Sequence, residues 1–146
     1  MRAITFVLVG FFAGSAVAES ASEPEPDPVF PSEVVEDLND FVWLKRPIVV
    51  FADSPNDPIF ARQMELLHER RADLEERDVV VLTDTDPNEQ SALRKKLRPR
   101  GFALVLIGKD GGVKLRKPKP WAVRELGRVI DKMPLRQQEI EDRRGQ

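Results

Sequence analysis

The chain has 146 residues, a formal net charge of −2 and no cysteine. Without a thiol it has no disulfide, no thiolate nucleophile, no thiolate metal site and no iron–sulfur cluster. The small net charge hides an asymmetry: residues 19–44 carry eight acids and no base, whereas residues 94–119 carry ten bases and one acid, Asp110.

In chain order, the first 18 residues read as an export signal. Arg2 gives the positive start, AITFVLVGFFAGSAVA the apolar run, and Ala16-Val17-Ala18 the small-residue end that precedes cleavage before Glu19. The run is slightly short for a bilayer span, and no other stretch is long and apolar enough to be one. The expectation is an exported protein, periplasmic or secreted, with no membrane span after cleavage. Removing 18 residues from 146 leaves 128, which suits one ordinary domain. Residues 19–32, ESASEPEPDPVFPS, hold four prolines and read as a flexible acidic linker. Residues 33–146 are then a single domain with a charged tail.

Ser32 is placed to cap a short helix over EVVEDLNDFVWL, with Val35, Leu38 and Phe41 at helical spacing. PIVVFA is a continuous apolar run that suits a strand buried on both faces. Asp57-Pro58 opens the next helix, with aspartate as N-cap and proline where its missing N–H costs nothing. Phe60, Met64, Leu67 and Leu74 share one face of a helix through PIFARQMELLHERRADLEER. DVVVLT is a second strand, and Asp86-Pro87 repeats the cap for a helix over PNEQSALRKKL. FALVLIG, KDGG and VKLR read as strand, tight turn and half-polar edge strand. Pro120 starts a last amphipathic helix with Trp121, Leu126, Val129 and Ile130 inward. Met133-Pro134 ends or kinks it, and LRQQEIEDRRGQ continues as exposed, charged helix.

The order is α, then β-α-β-α-β-β-α. A helix joins the first two strands, so they are expected to be parallel with a right-handed crossover, and the last two to form a hairpin. This is an α/β fold: a mixed four-stranded sheet flanked by helices and preceded by a short N-terminal helix. Residues 47–133 in this order resemble the thioredoxin-like superfamily. More closely, ERDVVVL, GFALVLIGKDGGVKLR and IDKMPLRQQEI together resemble the uncharacterised secreted family called domain of unknown function 4174. That resemblance implies small exported bacterial proteins and modules of animal sushi-repeat matrix proteins, with no established reaction. The thioredoxin-like redox motif would fall at Asn56-Asp57-Pro58-Ile59, where neither end is a thiol. The place of the superfamily's active-site proline is Gly101-Phe102. Thiol–disulfide exchange and peroxide reduction are therefore excluded, and the reading leans away from an enzyme.

Two candidate sites remain. Asp53, Asp57, Asp84 and Asp86 gather near the ends of the first two strands, where ligands often bind and where oxygens could hold a hard cation. Two of the four are accounted for as helix caps, so they are weak metal candidates, and no metal or cofactor is expected. Arg94, Lys95, Arg98, Arg100, Lys114 and Arg116 form the second candidate, a basic surface suited to carboxylate, sulfate or phosphate groups. His68, the single histidine, lacks a paired nucleophile, and Lys109-Asp110-Gly111-Gly112 is a hairpin turn rather than a phosphate loop. The charge split fits either an anionic partner for the basic half or attraction between the two halves. The leading reading is a non-enzymatic binding module with an envelope or matrix partner, an anionic glycan or protein surface, and no role for nucleic acid in an exported protein. The alternative is a metal-binding or enzymatic protein that uses the four aspartates.

Overall fold

The computed structural model describes residues 24–146. The segment 1–18, read as an export signal, and the first linker residues, 19–23, lie outside the described residues. Four strands form one sheet: β1 (Arg46–Phe51), β2 (Val79–Asp84), β3 (Ala103–Ile107) and β4 (Val113–Lys117). Their order is β2-β1-β3-β4. β1 runs parallel to β2 and antiparallel to β3, and β3 and β4 form the hairpin.

Alternation along the strands divides the core in two. Ile48, Val50, Val79, Val81, Leu104 and Leu106 face one side. There they meet Leu67 of α1 (Pro58–Glu69), Leu74 of α2 (Arg71–Glu76), and Leu126 and Ile130 of α4 (Val123–Asp131). Val49, Phe51, Val80, Leu82, Val105 and Ile107 face the other side, against Leu38 and against Leu93 and Leu97 of α3 (Ala92–Leu97). β1 is buried along its whole length, which is why its sequence is continuously apolar from Pro47 onward. Each such aliphatic side chain contributes about 1.5–3 kcal/mol on burial. β4 is the half-exposed edge. No helix of the described residues is long and apolar enough to cross a membrane.

Several expected elements differ from the structure. The helix expected over 33–44 is a single 3-10 turn, Leu38–Phe41, capped by Asp37 rather than Ser32: the Asp37 carboxylate accepts the Asn39 N–H at 2.8 Å. Leu38 is nevertheless buried, with Val35 and Phe41 packed beside it, so the apolar spacing served the core without a full helix. Trp43 ends the turn in the left-handed region at φ 67°. The long helix over 58–77 breaks at Arg70 into α1 and α2, and α2 is thereby aimed at both β2 and α4. The helix expected from Asp86 is split as well. Asp86 caps only the 3-10 turn Pro87–Glu89, Gln90 is left-handed, and Ser91 caps α3 by accepting the Arg94 N–H at 3.2 Å. The last helix starts at Val123, not at Pro120. Trp121 is partly buried, with its backbone clasped by Gln63: Trp121 N–H donates to Oε1 at 2.7 Å, and Nε2 donates to the Trp121 carbonyl at 3.0 Å.

Part of the stretch read as a flexible linker lies against the domain. The Asp27 carboxylate takes two hydrogen bonds from Arg71, at 3.0 and 2.7 Å. Those bonds, with the backbone N–H of Val29, hold its pKa well below the usual carboxylate range. Val29 is buried and its carbonyl accepts the Val81 N–H at 2.7 Å, while Phe30 stacks on exposed His68 with ring centroids 3.9 Å apart.

Candidate functional site

The four aspartates do not converge. Asp57 caps α1, accepting the Ile59 N–H at 2.9 Å, and Asp86 accepts the Asn88 N–H at 3.0 Å. Asp53 is exposed. Asp84 is turned inward: the Ser91 hydroxyl donates to one carboxylate oxygen, and Arg94 Nε donates to the other at 2.9 Å. Burial pushes the Asp84 pKa up, but the bonds from Ser91 and Arg94 outweigh it and hold the carboxyl below its ordinary value. Among the described residues no three histidine, aspartate or glutamate side chains are grouped to hold a metal ion.

The basic surface loses one member. Arg94 is buried, and its Nη2 donates to the carbonyls of Ala52 at 2.7 Å and Asp84 at 3.2 Å. Its guanidinium also lies over the Phe51 ring, 5.4 Å from the centroid. Arg94 therefore ties together the C-terminal ends of the parallel strands and presents no charge outward. The physical reason is its place in α3: one step of about 100° from Leu93 puts it at the border of the buried stripe. Lys95, Arg98 and Arg100 are exposed on α3 and the loop after it, and Arg116 is exposed on β4. None of these four makes an ion pair among the described residues. Leu115 packs on the α1–α4 side of the sheet, so neighbouring Arg116 projects to the α3 side. Lys114 is held by Asp110 at 2.7 Å.

At the opposite end of the sheet stands a network that composition did not reveal. Helix α5 (Pro134–Arg144), expected as an exposed tail, carries the buried Arg136 and the mostly buried Glu139. Arg46, the first residue of β1, is 1% exposed and donates to both Glu139 oxygens, at 3.2 and 3.0 Å, and to the Arg77 carbonyl at 2.9 Å. Lys109 donates to Glu139 at 2.7 Å and to Asp78 at 2.8 Å. Arg77 makes a two-bond pair with Asp131, at 3.0 and 2.8 Å. Burial raises the Glu139 pKa, but the bonds from Arg46 and Lys109 prevail and hold it at about 2. Beside this network a groove of about 550 Å³ opens between Trp43 and the junction of α4 and α5.

Comparison with solved structures agrees with the fold. A reduced 2-Cys peroxiredoxin of Plasmodium vivax matches with a TM-score of 0.53 and 17% identity, over 64% of this chain and 80% of that one. The mitochondrial 2-Cys peroxiredoxin of Plasmodium falciparum matches with a TM-score of 0.45 and 22% identity, over 65% of this chain and 79% of that one. At this identity the likeness carries the thioredoxin-like fold and not the peroxidase chemistry, which needs cysteines this chain lacks. A family model described as Domain of unknown function (DUF4174) matches residues 37–139, well over half the chain, and the protein belongs to that family.

Proposed function

We propose that this protein is an exported, non-thiol thioredoxin-like binding module that engages anionic glycan or protein surfaces of the cell envelope. The observation that supports the reading is the set of exposed cations Lys95, Arg98, Arg100 and Arg116, unpaired among the described residues. Elsewhere in the chain exposed arginines such as Arg62, Arg70 and Arg128 are matched by acids three residues on or back. Unmatched like charges on one side of a sheet raise the local concentration of anions and attract a polyanion. Lys114 extends the surface along β4, with part of its charge offset by Asp110.

The test is binding of the chain to an immobilised sulfated polysaccharide at low and moderate salt. Exposed charges are screened within about 10 Å at ordinary ionic strength, so retention should fall as salt rises. The triple variant Arg98→Glu, Arg100→Glu, Arg116→Glu should lose retention while keeping the wild-type melting temperature. Wild-type retention in that variant would refute the proposal.

A further inference from the structure

We propose that the groove between Trp43 and the α4–α5 junction binds a free, medium-length amphipathic carboxylate, at a site that shares only Lys114 with the basic surface. The apolar body would lie against the Trp43 indole and the side chains of Val129, Met133 and Leu135. The carboxylate would meet Lys132 and Lys114 at the rim.

The size of the groove, about 550 Å³, falls in the range of small-molecule sites, which combine apolar walls with a few convergent polar groups. Trp43 is 66% exposed, an unusual position for the largest apolar side chain. It also holds φ 67°, a left-handed conformation that is unfavourable for a bulky L-residue. The hydrogen bond from the Trp43 backbone N–H to the Lys109 carbonyl, at 2.6 Å, holds the main chain there. Strained residues of this kind concentrate at ligand sites, because folding alone gives no reason to keep them.

The charges around the groove select the sign of the ligand. Its cations are Arg46, Lys109, Lys114 and Lys132, and its one lining acid is Asp110. Asp110 is already engaged by Lys114 at 2.7 Å and by the Gly112 N–H at 2.9 Å, which hold its pKa below the ordinary value. Lys132 is exposed and has no acid partner among the described residues. Arg46 and Lys109, in the wall, are already paired with Glu139, so Lys132 is the lining cation left for a ligand. Gly108 makes room for Lys114: a Cβ there would stand 2.6 Å from Lys114 Cε, and the lysine stem lies across the hairpin in the space a side chain would take. An anionic head on an apolar body complements the apolar wall and the unpaired Lys132 together, whereas a neutral apolar ligand leaves Lys132 unmatched.

The probe is decanoate, titrated into the full chain below its micelle concentration and followed by indole fluorescence and calorimetry, with decanol as the neutral twin. Saturable binding of decanoate is expected, with decanol weaker by about tenfold or more, a difference of about 1.4 kcal/mol. Lys132→Glu, a surface change that leaves the core intact, should weaken decanoate by a similar factor, and Trp43→Ala should weaken both ligands. Arg100→Glu, on the α3 side, should leave decanoate binding unchanged even if it abolishes polyanion retention. Absence of saturable binding, equal affinity for decanol and decanoate, or wild-type affinity in Lys132→Glu would each overturn the proposal. So would a concentration-dependent dimer that buries Trp43, because a second copy would then occupy the groove.

Discussion

Replacing Glu139 by glutamine keeps the shape of the side chain and removes its charge. The carboxylate accepts from Arg46 at 3.2 and 3.0 Å and from Lys109 at 2.7 Å, with Arg136 at 3.5 Å. Lys109 keeps Asp78 and Arg136 keeps Asp131 and Glu76, but Arg46 has no second acid, only the Arg77 carbonyl. A guanidinium that is 1% exposed would be left with a neutral partner. Breaking a buried pair from one side costs about 3–5 kcal/mol, because the remaining charge stays desolvated. The pKa reflects the same contacts. Glu139 falls from 4.5 to about 2, and a shift of that size corresponds to roughly 3 kcal/mol. For a domain of this size that is a drop in melting temperature of about 10 °C. The sign with pH follows from the depressed value: the stabilisation is complete above about pH 4.5, where the unfolded carboxyl is ionised, and is lost as pH falls through about 2. Melting curves of wild type and Glu139→Gln should therefore differ by about 10 °C at pH 7 and converge toward pH 3. Adding Arg46→Met to Glu139→Gln should recover much of the loss, since removing both charges leaves no buried guanidinium stranded. Equal melting temperatures at pH 7, or a gap that does not change between pH 7 and 3, would refute the reasoning.

Two further outcomes rest on single contacts. Arg94→Met strands the Asp84 carboxylate, which is 9% exposed, and removes the donor to the Ala52 carbonyl; urea denaturation should show a loss of about 3 kcal/mol, largely restored by adding Asp84→Asn. Gly111 holds φ 82° in the β3–β4 turn, with Val42 Cγ2 at 3.4 Å from a would-be Cβ, so Gly111→Ala should cost about 1 kcal/mol in thermal melts.

The sheet was legible because its signal is local and apolar. PIVVFA, DVVVLT and FALVLIG are each too short for a helix and too apolar for a loop, and Asp57-Pro58 marks the start of α1 within its own two residues. Helix breaks were not legible, because Arg70 and Gln90 look like ordinary helix interior and depart from it to satisfy tertiary packing. The ion network was hidden for a different reason. Glu139 lies 93 residues from Arg46 in the chain, and periodicity reads only apolar side chains, so a charged tail counts as solvated wherever its partners are distant. One signal was present: IDKMPLRQQEI, the stretch that resembles the family, contains Asp131, Arg136 and Glu139. Arg94 was grouped with Lys95 by adjacency, although neighbouring residues on a helix point about 100° apart. The Leu93–Leu97 stripe beside it was the clue that it faces inward.

Arginine placement also explains why open volume lies where it does. The C-terminal ends of parallel strands present unpaired carbonyls, which makes them frequent ligand sites in α/β sheets. Here Arg94 takes the Ala52 and Asp84 carbonyls and one Asp84 carboxylate oxygen, and Ser91 takes the other. A ligand at that end would have to displace a buried guanidinium from three oxygen contacts and an aromatic face. At the opposite end the charges are satisfied within the network of Arg46, Lys109 and Glu139, and a groove stays open beside the exposed Trp43. The strand-end oxygens that would hold a ligand are thus taken by the protein's own side chains, and the groove beside Trp43 is a separate place to test for a small amphipathic ligand, apart from polyanion binding on the α3 side.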